Sequence, residues 1–228
     1  MRKGIFITAT GTDIGKTYVT ALLIKKMREL GMNTGYYKAA LSGAENITES
    51  DAGYVNSVAD IGQEPETLLS YLYKNAVSPH LASSLEGNPV ELGKVKTDFV
   101  HVTEKYDYTV VEGSGGIVCP IRYDDTCHIF LEDIINKLKL DTLIVADAGL
   151  GTVNAVVLTV EYMRQKKIGI RGIILNRYTG TVMQKDNIKM IEEITGLQVI
   201  SLVEPAAKEL IIDKNVLCKI FTEVSKWA

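Results

Sequence analysis

The stretch that most constrains the fold is residues 4–17, where an apolar run passes through a loop of small residues into Gly15-Lys16-Thr17. Residues 5–9 are apolar enough to form a buried parallel strand. After the loop, apolar residues recur at helical spacing until Gly31. A strand, a glycine loop and a helix in this order direct backbone N–H groups and a positive helix end at one point, which predicts a binding site for polyphosphate.

This loop does not match the usual G-x-x-x-x-G-K-[ST] pattern in its first half. Thr10 stands where the leading glycine is expected, and the glycine inside the loop is Gly11. The chance occurrence of Gly-Lys-Thr is the alternative interpretation, and the flanking strand and helix argue against it. We predict that Lys16 reaches the β- and γ-phosphates and that Thr17 binds Mg²⁺.

Composition indicates one soluble α/β domain that spans residues 1–228, with 46% hydrophobic and 23% charged residues and no linker. The formal net charge is −3, and no run of lysine or arginine suggests nucleic acid or a membrane surface as a partner. We therefore expect a small soluble ligand and a cytoplasmic location, because no apolar stretch approaches the roughly 20 residues of a membrane span. Cys119, Cys127 and Cys218 form no C-x-x-C motif and are predicted to be free thiols.

Strand and helix patterns alternate along the rest of the chain. Strands are predicted at residues 34–38, 108–111, 141–146, 170–175 and 198–203, and helices at 51–61, 81–85, 90–106, 129–138, 152–167, 183–195 and 215–226. Residues 65–73 are ambiguous, and residues 117–128 are predicted to form an irregular loop. This alternation predicts a mostly parallel sheet with helices on both faces, as in P-loop NTPases.

Charged residues follow two of the predicted strands. The first delivers Lys38 into a loop with Ser42, and the second ends in Glu112 before Gly113-Ser114-Gly115. Ligands of open parallel sheets lie beyond the carboxyl ends of the strands, so both residues are expected near Lys16. An acidic residue at the tip of a buried strand is typical of a Mg²⁺ site. The alternatives are a solvated surface lysine and a glutamate that emerges into solvent.

Three further polar positions keep two interpretations each. Asp51 follows the candidate N-cap Ser50, so it either stabilises a helix start or binds a metal. His80 either touches substrate or ends a turn, and we favour the turn. The glycine-rich turn at residues 149–154 either offers helix N-terminal amides to a carboxylate or only eases the chain from strand to helix. The Asn176 amide, at the end of its strand, could read a base edge.

Seven blocks of sequence together resemble the dethiobiotin synthetase family, the ATP-dependent cyclo-ligases of biotin synthesis. They are residues 6–17, Tyr37-Lys38 with Ser42-Gly43, 50–52, 78–80, 111–116, 150–154 and Asn176. The blocks follow in the order of the family and cover the chain nearly end to end.

The resemblance implies a complete set of site residues. Lys38 and Lys16 would be catalytic, and Thr17, Asp51 and Glu112 would bind Mg²⁺. The nucleotide would be bound by Asp13, Ile14, Gly15, Lys16, Thr17, Tyr18, Asp51, Glu112, Gly113, Ser114, Gly115, Asn176, Arg177, Pro205, Ala206 and Ala207, with Asn176 at the adenine and residues 205–207 flanking it. The other substrate would be bound by Thr12, Lys38, Ser42, Gly151, Thr152 and Asn154.

The resemblance also implies the reaction and the assembly. ATP, CO₂ and 7,8-diaminononanoate would be joined to give dethiobiotin, with a carbamate as intermediate. The turn at residues 149–154 would receive the substrate carboxylate from a neighbouring subunit, which implies a homodimer. The chain departs from the family pattern at Ala9, Asp13 and Ala39. We expect these three small substitutions to alter loop rigidity rather than to abolish function.

Two rival classes share parts of this pattern. ATPases that position chromosomes or the division septum have a similar sheet and phosphate loop, but they resemble one another in a signature lysine five residues before the loop lysine. Gly11 occupies that position here. An ATP-dependent amidoligase would need a glutaminase portion with a nucleophilic cysteine, for which 228 residues leave little room.

Overall fold

The computed structural model describes residues 2–224, and this part of the chain contains ten strands and eight α-helices. The strands are β1 (Lys3–Ala9), β2 (Thr34–Ser42), β3 (Leu69–Tyr73), β4 (Tyr108–Glu112), β5 (Pro120–Tyr123), β6 (His128–Phe130), β7 (Thr142–Asp147), β8 (Ile170–Asn176), β9 (Val199–Val203) and β10 (Thr222–Glu223). The helices are α1 (Lys16–Glu29), α2 (Asp51–Val58), α3 (Pro79–Leu85), α4 (Leu92–Lys105), α5 (Leu131–Leu138), α6 (Thr152–Gln165), α7 (Val182–Thr195) and α8 (Lys214–Lys219).

Seven strands form the central sheet in the order β3-β2-β4-β1-β7-β8-β9, and all of their pairings are parallel. The short strand β10 adds to β1 in the antiparallel sense, through Lys3 with Glu223 and Gly4 with Thr222. The prediction of a mostly parallel sheet is therefore confirmed. Strand β1 lies at its centre, so the loop that follows β1 opens at the middle of the carboxyl edge.

Helices cover both faces of the sheet, as predicted. Apolar residues of α1, α2 and α8 pack on one face, and those of α3 to α7 pack on the other. The side chains of β1 show this division, because Ile5 and Ile7 face α1 while Phe6 faces the opposite layer, and all three are buried. A central strand buried on both faces needs a continuous apolar run, which is what residues 5–9 supply.

Strand β2 is longer than its sequence suggests. The prediction that it ends at Lys38 is wrong, because the strand continues to Ser42 and Lys38 pairs in register with Leu69 and Glu112 of its neighbours. Only 4% of Lys38 is exposed. A lysine inside a run of apolar residues suggests the end of a strand, because the carboxylates that pair with it are not neighbours in sequence. Here those carboxylates belong to Asp51 and Glu112. The ambiguous residues 65–73 form a short 3₁₀ helix, Pro65–Thr67, and β3.

Two other predictions are corrected. The region predicted as an irregular loop contains the first strand of the β5–β6 hairpin, whose turn is closed by Asp124 accepting the N–H groups of Thr126 and Cys127. The C-terminal helix predicted for residues 215–226 ends at Lys219, and β10 follows it. Residues 225–226 of that prediction lie outside the described part. The three cysteines are free thiols, as predicted.

No helix within residues 2–224 is long and apolar enough to cross a membrane.

Candidate active site

The loop between β1 and α1 is built to bind an anion. Gly15 is the N-cap of α1 and has a φ of 86°, in the left-handed region that favours glycine. No side chain caps this helix start, and its first turn contains no acidic residue. A Cβ atom at Gly15 would collide with the amide of Asn176. The first N–H groups of α1 are therefore free of side-chain caps, at the positive end of the helix dipole.

Lys38 forms ion pairs with two carboxylates. Its Nζ atom lies 3.0 Å from Glu112 Oε1 and 3.2 Å from Asp51 Oδ2. Thr17 Oγ1 donates a hydrogen bond to the same Glu112 oxygen over 2.7 Å. Lys38 and Glu112 lie opposite each other in the pairing of β2 with β4, and Thr17 comes from the first turn of α1. The sheet register and the helix start together assemble this cluster.

The two lysines of the site differ in their electrostatics. Burial lowers the pKa of Lys16 from its ordinary value, the Glu112 carboxylate partly opposes this, and the charge of Lys38 adds to it. Burial also opposes the charged form of Lys38, but the carboxylates of Glu112 and Asp51 outweigh it and raise the pKa of Lys38. Lys38 is thus held as a fixed positive charge in the buried part of the site.

One cleft of about 550 Å³ opens over this cluster. It is lined by Thr12, Asp13, Ile14, Gly15, Lys16, Thr17, Lys38, Leu41, Ser42, Asp51, Ala76, Val77, Ser78, Pro79, Ser114, Gly115 and Cys119. The structure therefore brings the loop residues together with Lys38, Ser42 and Asp51, as the sequence predicts. The Ser42 hydroxyl donates to Val77 O over 2.6 Å, which ties the end of β2 to the segment before α3.

The oxygen donors in the cleft fit Mg²⁺. Thr17, Asp51 and Glu112 offer a hydroxyl and two carboxylates, the hard ligands that this ion takes together with phosphates and waters. Within residues 2–224 no group of three or more histidine, cysteine or acidic residues could hold a metal ion. Three protein oxygens would leave coordination positions of the ion open for phosphate and water.

Two of the predicted nucleotide residues, Gly113 and Ser114, have structural partners in the neighbouring strands. Gly113 is buried, and a Cβ atom there would lie 2.8 Å from the ring of Phe6. The Ser114 hydroxyl lines the cleft but donates to Ala40 O over 2.8 Å. These residues connect β4 to the neighbouring strands and shape the cleft from behind.

A second pocket, of about 330 Å³, adjoins the loop on its other side. It is lined by Gly15, Tyr18, Asn176, Arg177, Pro205 and Ala206. The Tyr18 hydroxyl donates to Ala207 O, which holds the 205–207 segment against α1. Gly15 is shared with the first cleft, so the two pockets meet at the phosphate loop.

The predicted carboxylate turn lies apart from both pockets. Gly151 and Asn154 are exposed, and neither they nor Thr152 line the cleft that contains Lys38. Within one chain, the structure therefore unites Thr12, Lys38 and Ser42 but leaves the turn outside. His80, the second residue of α3, does not line the cleft either.

Sequence reasoning missed Tyr36 and Cys119, as well as the cleft-lining residues Leu41, Ala76, Val77, Ser78 and Pro79. The Tyr36 hydroxyl donates to Glu112 Oε2 over 3.3 Å, and Tyr36 lies two positions before Lys38, on the same face of β2. The period of two in a strand could have identified it. Cys119 lines the cleft, and burial raises the pKa of its thiol to about 11. No sequence periodicity places Cys119 at the site, because it follows a glycine-rich turn.

Comparison with known proteins gives relatives over most of the chain. The AAA domain family model matches residues 3–209. The chain is 56% identical over 204 residues to the ATP-dependent dethiobiotin synthetase BioD of Brachyspira hyodysenteriae (strain ATCC 49526 / WA1), covering 89% of this chain and 92% of the relative. The protein of the same name from Clostridium botulinum (strain Eklund 17B / Type B) is 50% identical over 204 residues, covering 87% and 89%.

Solved structures show the same fold at low sequence identity. The MinC:MinD cell division protein complex of Aquifex aeolicus matches with a TM-score of 0.57 and 14% identity, covering 90% of this chain and 83% of that chain. A ParA family ATPase from Chlorobium tepidum TLS matches with a TM-score of 0.52 and 16% identity, covering 90% and 84%. At this identity the likeness extends to the α/β P-loop fold alone.

Proposed function

Because the chain belongs to the dethiobiotin synthetase family, we propose that it is an ATP-dependent ligase that converts 7,8-diaminononanoate and CO₂ into dethiobiotin, releasing ADP and phosphate. The observation that carries the proposal is the position of Lys38, buried between Glu112 and Asp51 and facing the same cleft as the phosphate loop. A site for phosphoryl transfer needs fixed positive charge at this point. We also propose a cytoplasmic location, where ATP is supplied.

The proposed reaction has three steps. One amine of the substrate adds to CO₂ and loses a proton, which gives a carbamate. A carbamate oxygen attacks the γ-phosphorus of ATP, the bond to the bridging oxygen breaks, and ADP leaves. The second amine then attacks the carbonyl carbon of the mixed anhydride, phosphate leaves with the bonding electrons, a proton is lost, and the ureido ring closes.

The chain's own residues offset the repulsion between a carbamate and a triphosphate. Lys16 and the N–H groups of the loop would bind the phosphates, and Lys38 would face the group in transfer. Removal of one such preorganised group typically raises the activation barrier by about 3 kcal/mol. Lys38 suits this role because its neighbours raise its pKa and keep it charged.

Mg²⁺ is part of the proposal, with Thr17, Asp51 and Glu112 as its ligands. The ion would neutralise charge on the phosphates when bound. Glu112 is 1% exposed and already accepts bonds from Thr17 and Lys38, so its orientation is fixed in advance.

We further propose that the protein acts as a homodimer with shared sites. Gly151 and Asn154 of the turn at residues 149–154 are exposed, and the turn lies outside the cleft of its own chain, which supports a role toward the site of a partner. Its helix-start amides would receive the carboxylate of the diamine there. The carboxylate is remote from both reacting amines, which fits a binding element supplied from a distance.

The direct test is to mix protein, diaminononanoate, bicarbonate and MgATP and to measure dethiobiotin by mass spectrometry. The expected result is a product that requires all four components, with ADP formed in equal amount. Omission of ATP and the Lys16→Ala variant are the matched controls. ATP hydrolysis without dethiobiotin in the complete mixture would overturn the proposal and favour an ATPase of another kind.

A further inference from the structure

Two carbonyl groups at the tip of the phosphate loop are held by side chains from the end of β8. Asn176 Nδ2 donates to Ile14 O over 2.8 Å, and Arg177 Nη2 donates to Asp13 O over 2.7 Å. A trans peptide points its C=O and N–H groups in opposite directions. Holding these two oxygens therefore aims the N–H groups of Ile14 and Gly15 to the other side, and a loop that binds anions needs its N–H groups aimed.

The Arg177 side chain is itself anchored on β7. Its Nη1 atom donates to Asp147 Oδ2 over 2.7 Å, while Asp147 Oδ1 accepts the N–H of Gly149 over 2.7 Å. A Cβ atom at Gly149 would lie 2.9 Å from that oxygen, so the close approach depends on glycine. One guanidinium thus connects the loop after β1 to the end of β7 through two separate nitrogens.

The backbone at both ends of this contact is in an uncommon conformation. Asp13 and Arg177 each have a φ of 59°, in the left-handed region that non-glycine residues rarely occupy. Such conformations persist where surrounding bonds fix them. The hydrogen bond between these two residues is therefore part of what holds the loop in its binding shape.

We propose that Arg177 is a positioning residue of the nucleotide site, which fixes the phosphate loop from outside through the Asp13 carbonyl, with Asp147 as its anchor. This inference rests on the proposed nucleotide site. It replaces direct binding of the nucleotide as the role of Arg177, although Arg177 also lines the pocket beside the loop. Loss of Arg177 should then weaken the binding of a triphosphate whether or not a nucleoside is attached.

The test compares MgATP with inorganic tripolyphosphate and Mg²⁺ by isothermal titration calorimetry. Arg177→Ala should weaken both ligands by the same factor, about three- to tenfold, which is the usual effect of losing such hydrogen bonds. If the variant bound ATP more weakly but tripolyphosphate as tightly as the wild type, Arg177 would contact the base or ribose, and the inference would be overturned. No change in either ligand would overturn it as well. Failure of the wild type to bind either ligand would instead contradict the nucleotide site.

Arg171 is a matched control on the same strand. It pairs with Asp141, so it joins the starts of β8 and β7 as Arg177 joins their ends. The two arginine side chains are 47% and 51% exposed. Arg171→Ala should therefore remove a surface ion pair of the same kind but leave the affinities for MgATP and tripolyphosphate unchanged. Equal losses in the two variants would mean a general effect on the sheet.

A double-mutant cycle tests the anchor. Asp147→Asn keeps an oxygen that can accept the Gly149 N–H but removes the charge that holds Arg177. It should show part of the effect of Arg177→Ala on tripolyphosphate affinity, and the double variant should be no weaker than Arg177→Ala alone. Fully additive losses would contradict the anchor. Arg177→Lys should have a tripolyphosphate affinity between those of the wild type and Arg177→Ala, because an ammonium group is charged but lacks the planar fork of a guanidinium. Circular dichroism checks that each variant is folded.

Discussion

Helices α1 and α6 begin in the same way but have different surroundings. Each has a glycine N-cap in the left-handed region, with φ angles of 86° at Gly15 and 87° at Gly151. Neither start has a side-chain cap or an acidic residue in its first turn. Both therefore present free N–H groups and the positive end of a helix dipole, the elementary device for holding an anion.

The difference lies in what the neighbouring strands bring. The start of α1 faces Lys38 and two carboxylates, whereas beside the start of α6 stands Leu150, which is 91% exposed. Within residues 2–224, the buried Thr152 hydroxyl at the α6 start has no hydrogen-bond partner. A helix start of this kind gives a general preference for anions. At α1, Lys38 and Glu112 add a pair of opposite charges in register on β2 and β4, whereas at the α6 turn the strand charge Asp147 accepts the Gly149 N–H and pairs with Arg177.

The largest expected effect is the loss of charge at the α1 site. Lys16→Ala should reduce turnover to below about 1% and weaken ATP binding, because its charge offsets that of the triphosphate. Glu112→Gln should reduce turnover to a similar extent, since the amide keeps the shape but not the charge that holds Lys38 and would hold the proposed Mg²⁺. Steady-state kinetics and calorimetry measure both, and near-normal turnover in Lys16→Ala would contradict the site.

Two matched controls separate charge at the site from charge elsewhere. Lys25 lies on the same helix as Lys16 and pairs weakly with Glu29 at the surface, so Lys25→Ala should leave turnover unchanged. Glu132 is buried and bonded to Tyr162 and Lys166, much as Glu112 is to a tyrosine and a lysine, but outside the cleft. Glu132→Gln should leave turnover close to that of the wild type.

Lys38 is expected to act on the group in transfer more than on bound ATP. Lys38→Gln should therefore lower kcat by about 100-fold while KM for ATP changes far less. The reason is its position in the cleft that contains the phosphate loop and outside the second pocket, together with a pKa that keeps it charged. An effect confined to KM would show that Lys38 binds ground state and transition state equally.

At the α6 start we expect a smaller effect, on one substrate only. Asn154→Ala should raise KM for diaminononanoate by about five- to tenfold and leave KM for ATP unchanged. A substrate analogue with a primary amide in place of the carboxylate should lose affinity for the wild type by a similar factor. Equal binding of the acid and the amide would show that this turn is only structural.

Mixed dimers test whether the α1 and α6 starts of two chains share a site. Equal mixing of Lys16→Ala and Asn154→Ala chains should restore about a quarter of the wild-type sites, because half of the dimers are mixed and each has one intact site. The assay uses diaminononanoate below its KM, where the Asn154 variant is weak. Activity that equals the mean of the two separate variants would place the whole site within one chain.

The smallest effect concerns pH. Burial lowers the pKa of Lys16, and the charged form is the one that binds phosphate, so ATP affinity should fall as pH rises through that pKa. We expect a two- to tenfold loss of ATP affinity as pH rises toward about 10.4, the ordinary pKa of lysine, with Lys38 still charged because its pKa is raised. Lys16→Arg should keep its affinity over this range, since a guanidinium stays protonated. If ATP affinity of the Lys16→Arg variant fell with pH as it does in the wild type, the loss would belong to another group.

Local pattern was sufficient for the elements that end at the site. The apolar run before the loop, the periodicity of α1, and Ser50 as the N-cap of α2 are all visible in short windows of sequence and are confirmed. The two charged residues on β2 and β4 were predicted near the loop for the same reason, since parallel strands share an edge.

Contacts between distant residues were not predictable in this way. The full length of β2 was not predictable because a buried lysine is rare, and the carboxylates of Asp51 and Glu112 that offset its charge lie 13 and 74 positions away. The two residues of β10 are strand because β1 pairs with them, while their own sequence continues the pattern of a helix. The bond from Arg177 to Asp13 spans 164 positions and has no local signal.

The pairing of Lys38 with Glu112 also makes the active site a check on correct folding. These residues lie directly opposite each other on one face, and a slip of β2 by a single residue would turn Lys38 to the other face. Both charges would then be buried without a partner, at a cost of about 3–5 kcal/mol. Misaligned molecules are thus discriminated against by the same two charges that we propose act in the reaction. In any refolded preparation, the fraction of molecules with the native sheet and the fraction able to turn over substrate should be the same.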